Sequence, residues 1–445
     1  VSAALTRCAD RDGHAPSIRG TVVGAGPNGA PPWWEALPVG ERLPEGQARG
    51  EAAGPLRRID LGAVAANTRL LAARADGELM AVVKADGFGH GATAVARTAL
   101  AHGARSLGVT SVEEGLALRD AGLRAPVLSW LNPVRADFDS ALRARIQPAV
   151  PGEEHLAAVV RAAVRTGYVA RLHLHADVGM SRDGASPRSW GRLCRLAADA
   201  EANGLVQVVG VMGHLGCADR AADPCDRAAR RRFNDAVAVA RAAGLRPLLR
   251  HLASTAAVLT DPSTHFDLCR VGAGLVGIDP SGTTALRPAM TVTAPVVSVR
   301  TVEAGARVGY GHRYRTRRRS RLALLPIGYA DGVPRETSGR AQVLLGGRRR
   351  PLVGLVSMDQ IVVDVTEPAV PELAGSGPFG SGAFGLAPPG DTHRPVRTGD
   401  IAVILGPGDR GEPTAVEWAH WARTIPHEIV TGIGPRVRRV TEEPA

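Results

Sequence analysis

Between about Arg57 and Pro288 the chain alternates short, continuous apolar runs with longer stretches whose apolar positions recur every three to four residues. The short runs at 79–84, 106–110, 127–131, 171–175, 206–212, 247–251 and 268–271 predict strands. The periodic stretches at 61–73, 93–102, 112–121, 153–166, 189–203, 227–243 and 254–259 predict helices between them. Strand, loop and helix repeated over some 230 residues predict a parallel α/β domain, and the number of units favours a (β/α)8 TIM-like barrel. In such a barrel chemistry sits at the C-terminal ends of the strands, where Lys84, His175, Asp177, His214, Ser254 and Arg270 fall.

Past Pro288 the rhythm changes. Runs at 292–300, 307–310, 321–327, 342–345, 350–355, 360–365 and 401–405, separated by Gly-rich turns, predict strands, and helical periodicity nearly vanishes. The expected organisation is a leader over 1–52, a barrel over 53–288, and a mostly-β C-terminal domain over 289–445. The leader is rich in Gly, Pro, Ala and Arg without apolar periodicity, which predicts disorder. A Gly/Pro-rich stretch over 371–395 predicts a surface insertion. The chain begins with valine, which fits translation from a GTG start codon.

Composition narrows the classes. With 445 residues, 44% hydrophobic and 22% charged, the chain has the balance of a globular protein with room for two or more domains. No apolar run approaches the ~20 residues of a membrane-spanning helix, so no membrane partner is expected. The start of the chain lacks an apolar signal segment, and the five cysteines (Cys8, Cys194, Cys217, Cys225, Cys269) form no C-x-x-C pair. A reduced, cytoplasmic setting without a metal site is the expectation. The net charge of +11 is spread along the chain and aromatic residues make up 4%, so no nucleic-acid partner is expected.

One residue stands out against this background. Of 54 basic residues, Lys84 is the only lysine. Arginine replaces lysine wherever a site needs only a positive charge, but its guanidinium cannot serve as a primary-amine nucleophile or proton carrier. Lys84 is therefore the candidate for amine chemistry, the leading form being a Schiff base to a carbonyl substrate or to pyridoxal phosphate.

Lys84 lies in Ala81-Val-Val-Lys84-Ala-Asp-Gly-Phe88-Gly-His-Gly91, which resembles the cofactor-lysine motif of the alanine racemase family of fold-type III pyridoxal-phosphate enzymes. The resemblance continues in order through Asp177-Val-Gly-Met-Ser-Arg182, Gly213-His214, His251-Leu-Ala-Ser254-Thr255-Ala256 and Arg270-Val-Gly272. It resumes in Val308-Gly-Tyr310-Gly, Pro326-Ile-Gly-Tyr329-Ala-Asp-Gly332, Ser357-Met358-Asp359-Gln360 and Thr424-Ile-Pro-His427-Glu. Singly, each element has an ordinary reading as core or turn. Nine in one order, over about 56–440, do not.

The resemblance implies an amino-acid racemase, an isomerase that interconverts L- and D-alanine or a related small-molecule amino acid. Lys84 and Tyr310 would be the catalytic proton carriers on opposite faces of the α-carbon, because inversion needs a carrier on each side. It implies a head-to-tail homodimer with Tyr310 and Met358 acting in trans. Cofactor contacts would come from Lys84, Phe88, His214, Ser254, Thr255, Arg270, Gly272, Ala273 and His427. Arg270 would meet the ring nitrogen, and Thr255 with the amides of Gly272 and Ala273 would hold the phosphate. Arg182, Met358 and Tyr329 would contact substrate.

Three departures matter. Phe88 and His427 stand where the family commonly has tyrosines near the phosphate, and His175 where many relatives have a lysine that is carbamylated. Weaker cofactor retention and a differently built carboxylate site follow. Two further readings stay open: a decarboxylase or aldolase of the same fold, against which Tyr310 and Arg270 speak, and a non-catalytic cofactor-binding protein, against which the second domain speaks.

Overall fold

In a computed structural model of the chain, residues 54–367 and 394–443 are described. The leader expected over 1–52 lies outside them, as does 371–393 of the expected insertion.

The first described strand is β1 (Leu56–Asp60), and eight more form the barrel: β2 (Glu78–Val82), β3 (Ala104–Val109), β4 (Val127–Ser129), β5 (Ile146–Val150), β6 (Ala170–His175), β7 (Val206–Met212), β8 (Leu249–His251) and β9 (Leu268–Val271). All eight are parallel, in the order β8-β7-β6-β5-β4-β3-β2-β9. Between β8 and β9 the amide of Asp267 donates to Arg250 O (3.1 Å) and that of Arg270 to Ala253 O (3.0 Å), so the barrel is nearly closed. Leu79, Met80, Leu107, Leu128, Leu172 and Leu174 are fully buried, as strands covered by helices on one face and packed inward on the other require.

Among the barrel strands, β5 is the one the hydrophobic pattern misses. Its sequence, Ile-Gln-Pro-Ala-Val, has Pro148 at its centre, and a proline normally argues against a central strand. The helices follow their expected positions, with local reasons for their limits. Ser186 and Asp223 cap Pro187–Ala202 and Pro224–Ala242, each with proline at its first turn, and Gly167 ends Glu153–Thr166 at φ 71°. A short helix, Phe138–Arg143, spans too few turns to show a period.

Strand β1 does not join the barrel. It pairs antiparallel with Met290–Pro295 and parallel with Arg438–Glu442, in a six-stranded sheet with Arg348–Pro351, Gln342–Leu345 and Ile401–Leu405. Ser298–Val302, Ser320–Leu325 and Ile361–Asp364 form a second sheet. The single strand expected over 292–300 is two strands in different sheets. At the crossover the amide of Val296 donates to Asp400 O while that of Val297 donates to Leu324 O. The expected near-absence of helices here leaves two short ones that the sequence did not single out, Ala415–Ala422, which opens on a Thr414/Glu417 capping box, and Pro426–Thr431. The second of these carries His427 towards the barrel.

Candidate active site

A cavity of about 610 Å³ opens at the C-terminal ends of the barrel strands. Lys84, Phe88, Arg182, His214, Ser254, Thr255, Arg270, Gly272, Ala273 and His427, ten of the thirteen residues singled out in the sequence, line it together. Thr110, Trp130, His175 and Asp183 line it as well.

Lys84 follows β2 directly, and the backbone after it is unusual. Ala85, Asp86, Gly87 and Phe88 all have positive φ (51°, 53°, 62° and 56°), a left-handed turn of which only one residue is glycine. Left-handed backbone costs an L-residue about 1–2 kcal/mol, so the turn needs outside support. Glu114 provides part of it, one oxygen accepting from Ala85 N (2.7 Å) and the other from Thr110 N (2.8 Å) and Oγ1 (2.7 Å). Asp86 accepts from Ala92 N (3.0 Å) and pairs with Arg439. The Lys84 ammonium lies 5.9 Å from the centre of the Trp130 ring. Burial and then the positive charge of Arg182 push its pKa down, Glu114 pushes it up, and Arg270 adds to the lowering. An amine shifted this way is neutral, and so nucleophilic, at lower pH than a free lysine.

Arg270, on β9 and 5% exposed, is held from several sides. Its Nη1 donates to His251 O (2.8 Å) and its Nη2 to Gly213 O (2.7 Å) and Leu252 O (3.3 Å). It also reaches Nδ1 of His251 (3.0 Å) and Nδ1 of His214 (3.3 Å). A guanidinium only donates, so both ring nitrogens accept and both histidines carry their proton on Nε2. From His251 Nε2 the line continues to His173 Nδ1 (2.9 Å), and from His173 Nε2 to Gln147 Oε1 (2.9 Å). Burial is the first cause of low basicity in these rings. His173 and His214 are pushed down to about 3, His251 well below its usual value, and Arg270 to about 10. His173 and Gln147, like Thr110 and Asp183 in the lining, were not singled out in the sequence. Alternating with Leu172 and Leu174 on a buried strand, His173 carries no local sign that it faces another polar group.

Around Thr255 and Gly272 the cavity is lined by neutral groups. Thr255 Oγ1 accepts from Gly274 N (3.2 Å), which leaves its own proton to donate. Gly272 leads into the helical turn Ala273–Val276. A Cβ on Gly272 would meet Phe88 ring carbons at 2.7 Å, so the phenyl ring occupies the space that this glycine leaves. Across from it, 6.2 Å between ring centres, lies His427, whose buried Nδ1 has no hydrogen-bond partner. A lone amine, neutral phosphate donors, a fixed arginine at the barrel floor and an unpartnered imidazole nitrogen fit pyridoxal phosphate.

The substrate-facing residues are divided. Arg182 reaches the cavity with no hydrogen bond or ion pair to another described residue. His175 lies with Nδ1 3.4 Å from Asp183 Oδ2, and this contact is the largest cause of Asp183's lowered pKa. Tyr310, Met358 and Tyr329 do not line the cavity of their own chain. They are 67%, 52% and 41% exposed. Tyr329 and Met358 sit on adjoining turns, joined by bonds from Tyr329 N to Ser357 O (3.0 Å) and from Ala330 N to Met358 O (2.9 Å).

Comparison with known proteins identifies the family. Residues 59–280 match the family model described as "Alanine racemase, N-terminal domain", and 289–377 with 389–441 match "Alanine racemase, C-terminal domain". The chain is 43% identical over 407 residues to an alanine racemase of Frankia casuarinae, covering 89% of this chain and 99% of the relative. Among solved structures, the alanine racemase from D-cycloserine-producing Streptomyces lavendulae matches with a TM-score of 0.80 at 42% identity, over 88% and 97% of the two chains. That of Bartonella henselae, with covalently bound pyridoxal phosphate, matches with a TM-score of 0.75 at 27% identity, over 87% and 99%.

Proposed function

The chain belongs to the alanine racemase family, and from that premise we propose how its residues divide the work. Its activity is that of an alanine-racemase-like isomerase dependent on pyridoxal 5'-phosphate. When bound, the cofactor supplies an electron sink that makes the α-hydrogen of an amino acid removable.

Lys84 is the anchoring amine and the proton carrier on one face of the α-carbon. The supporting observation is the combination of one lysine, half-buried near Arg182 and Arg270, with an amine of lowered basicity. Tyr310 of the partner subunit serves the other face, because Tyr310 is exposed and lies away from its own cavity. Tyr329 and Met358 share that exposure, which supports a head-to-tail homodimer whose second domains complete each other's cavities. His214, neutral and accepting from Arg270, is placed to accompany the incoming tyrosine.

Arg270 faces the ring nitrogen as a donor whose proton is not for transfer. Since an arginine keeps its proton, Arg270 would leave the ring nitrogen of a bound cofactor largely unprotonated and the electron sink weak. A weak sink favours prompt return of the proton over transamination or loss of carbon dioxide. Thr255, Gly272, Ala273, Ser254 and His427 hold the phosphate, with Phe88 as apolar cover. Arg182 binds the substrate carboxylate.

The substrate we propose is alanine or a related amino acid, with His427 in place of the usual tyrosine leaving room for serine or a larger side chain. The test is α-hydrogen exchange by the cofactor-loaded protein in deuterated water across a panel of L- and D-amino acids. Exchange accompanied by inversion is expected. Exchange with retention for every substrate would remove Tyr310 from its assigned role.

A further inference from the structure

Two thiols outside the assigned machinery lie side by side on the segment that follows β7. The Sγ atoms of Cys217 and Cys225 and a carboxylate oxygen of Asp223 are within 4.8 Å of one another. Cys217 comes three residues after His214, and Cys225 stands in the first turn of the helix Pro224–Ala242, its amide held by Asp223 Oδ1 (2.8 Å). Arg220 Nη2 donates to Cys217 Sγ (3.2 Å) and pairs with Asp223 Oδ2 (3.3 Å).

We propose that Cys217 and Cys225 are a reversible dithiol–disulfide centre on the flank of the cavity, oxidised by low-molecular-weight disulfides. The surroundings assign each thiol a part. Cys217 Sγ accepts from the Arg220 guanidinium, which puts a positive charge beside it, and the thiolate is the nucleophile in disulfide exchange. Cys225 is exposed, and the neighbouring Cys217 is the largest cause pushing its thiol pKa up. The other described cysteines, Cys194 and Cys269, are buried and pushed up to about 12, which makes them inert. A divalent metal on the same three groups is the less favoured occupant. The Arg220 guanidinium already supplies the positive charge between Cys217 and Asp223.

In the first step the Cys217 thiolate attacks one sulfur of the small disulfide, forming a mixed disulfide and expelling one thiolate. Cys225 then gives up its proton to water and attacks Cys217 Sγ, closing the protein disulfide and expelling the second thiolate. Two protein thiols are oxidised and one small disulfide is reduced to two thiols. Closure from within 4.8 Å to a sulfur–sulfur bond of about 2.05 Å needs side-chain rotation at two positions, one of them exposed.

The test uses the reduced, cofactor-loaded full chain with Cys8→Ser, exposed to glutathione disulfide, quenched by alkylation and mapped by mass spectrometry. An intramolecular bridge between Cys217 and Cys225 is expected. Cys225→Ser should trap glutathione on Cys217 as a stable adduct. Cys217→Ser should take up glutathione on Cys225 about tenfold more slowly, and Arg220→Gln should slow bridging in the otherwise intact protein. Circular dichroism and melting temperature of the reduced variants confirm that they are folded. Absence of the bridge, equal labelling rates in the two serine variants, or a stoichiometric divalent metal that protects both thiols would overturn the proposal.

Discussion

Arg270 Nη1 donates to His251 Nδ1 across 3.0 Å, and this contact fixes the protonation of two buried histidines beyond it. Because arginine cannot accept, His251 must be neutral with its proton on Nε2, and His173 must accept that proton's hydrogen bond. The arginine below the cavity is thus backed by a line of neutral groups ending at Gln147. No carboxylate in that line can draw its proton.

Replacing His251 by phenylalanine removes one acceptor from a buried guanidinium and one donor to His173. The expected cost is about 1–3 kcal/mol of stability, since a buried donor left unmatched loses its desolvation energy. Urea denaturation of the wild type and the variant checks it, and an unchanged midpoint would show that the carbonyls of His251, Leu252 and Gly213 satisfy Arg270 alone.

The same histidines predict acid sensitivity. His173 and His214 at about 3, and His90 at about 4, are depressed in the folded state relative to about 6.5 when unfolded. The unfolded chain therefore binds more protons below pH ~6.5, so stability is full above that value and is lost as pH falls towards the folded pKa. Each such histidine contributes a slope of up to about 1.4 kcal/mol per pH unit. Denaturation between pH 7 and 5 should show the loss, and His173→Gln should make the slope shallower.

Gly272 and Phe88 form a matched pair. A Cβ at position 272 would lie 2.7 Å from the phenyl ring, so Gly272→Ala should destabilise the protein by about 1–3 kcal/mol through overpacking. Adding Phe88→Leu should recover part of the loss. Melting temperatures of the single and double variants decide it, and strictly additive losses would contradict the contact.

Phe88→Tyr and His427→Tyr should each slow the loss of cofactor on dialysis. One added neutral hydrogen bond is worth about 1 kcal/mol, or roughly fivefold in dissociation constant. Retention of the cofactor absorbance band over time measures this. A wild type that holds its cofactor as firmly as both variants would show that the two departures are compensated.

Much of this was legible in the chain because the signals are local. The barrel follows from apolar runs spaced by amphipathic stretches, and Lys84 stands out because every other basic residue is arginine. Strand β5 was not legible because Pro148 carries the signature of a break, and only pairing with neighbours on both sides overrides it. The left-handed turn after Lys84 was hidden for a related reason. Ala85, Asp86 and Phe88 have no preference for positive φ, and the groups that hold them there, Glu114 and Arg439, lie far along the chain. The same holds for the line from Arg270 to Gln147, whose members come from four strands and meet only when the barrel closes.

Subunit complementation asks whether each active site is shared between two chains. The Lys84→Ala and Tyr310→Phe variants, each loaded with cofactor and each inactive in racemisation alone, are unfolded together, refolded as a mixture and assayed. If Lys84 works with Tyr310 of the partner subunit, every mixed dimer holds one site with both residues intact, and a random mixture regains about one quarter of wild-type activity. A mixture that forms mixed dimers yet stays as inactive as its components would contradict the account.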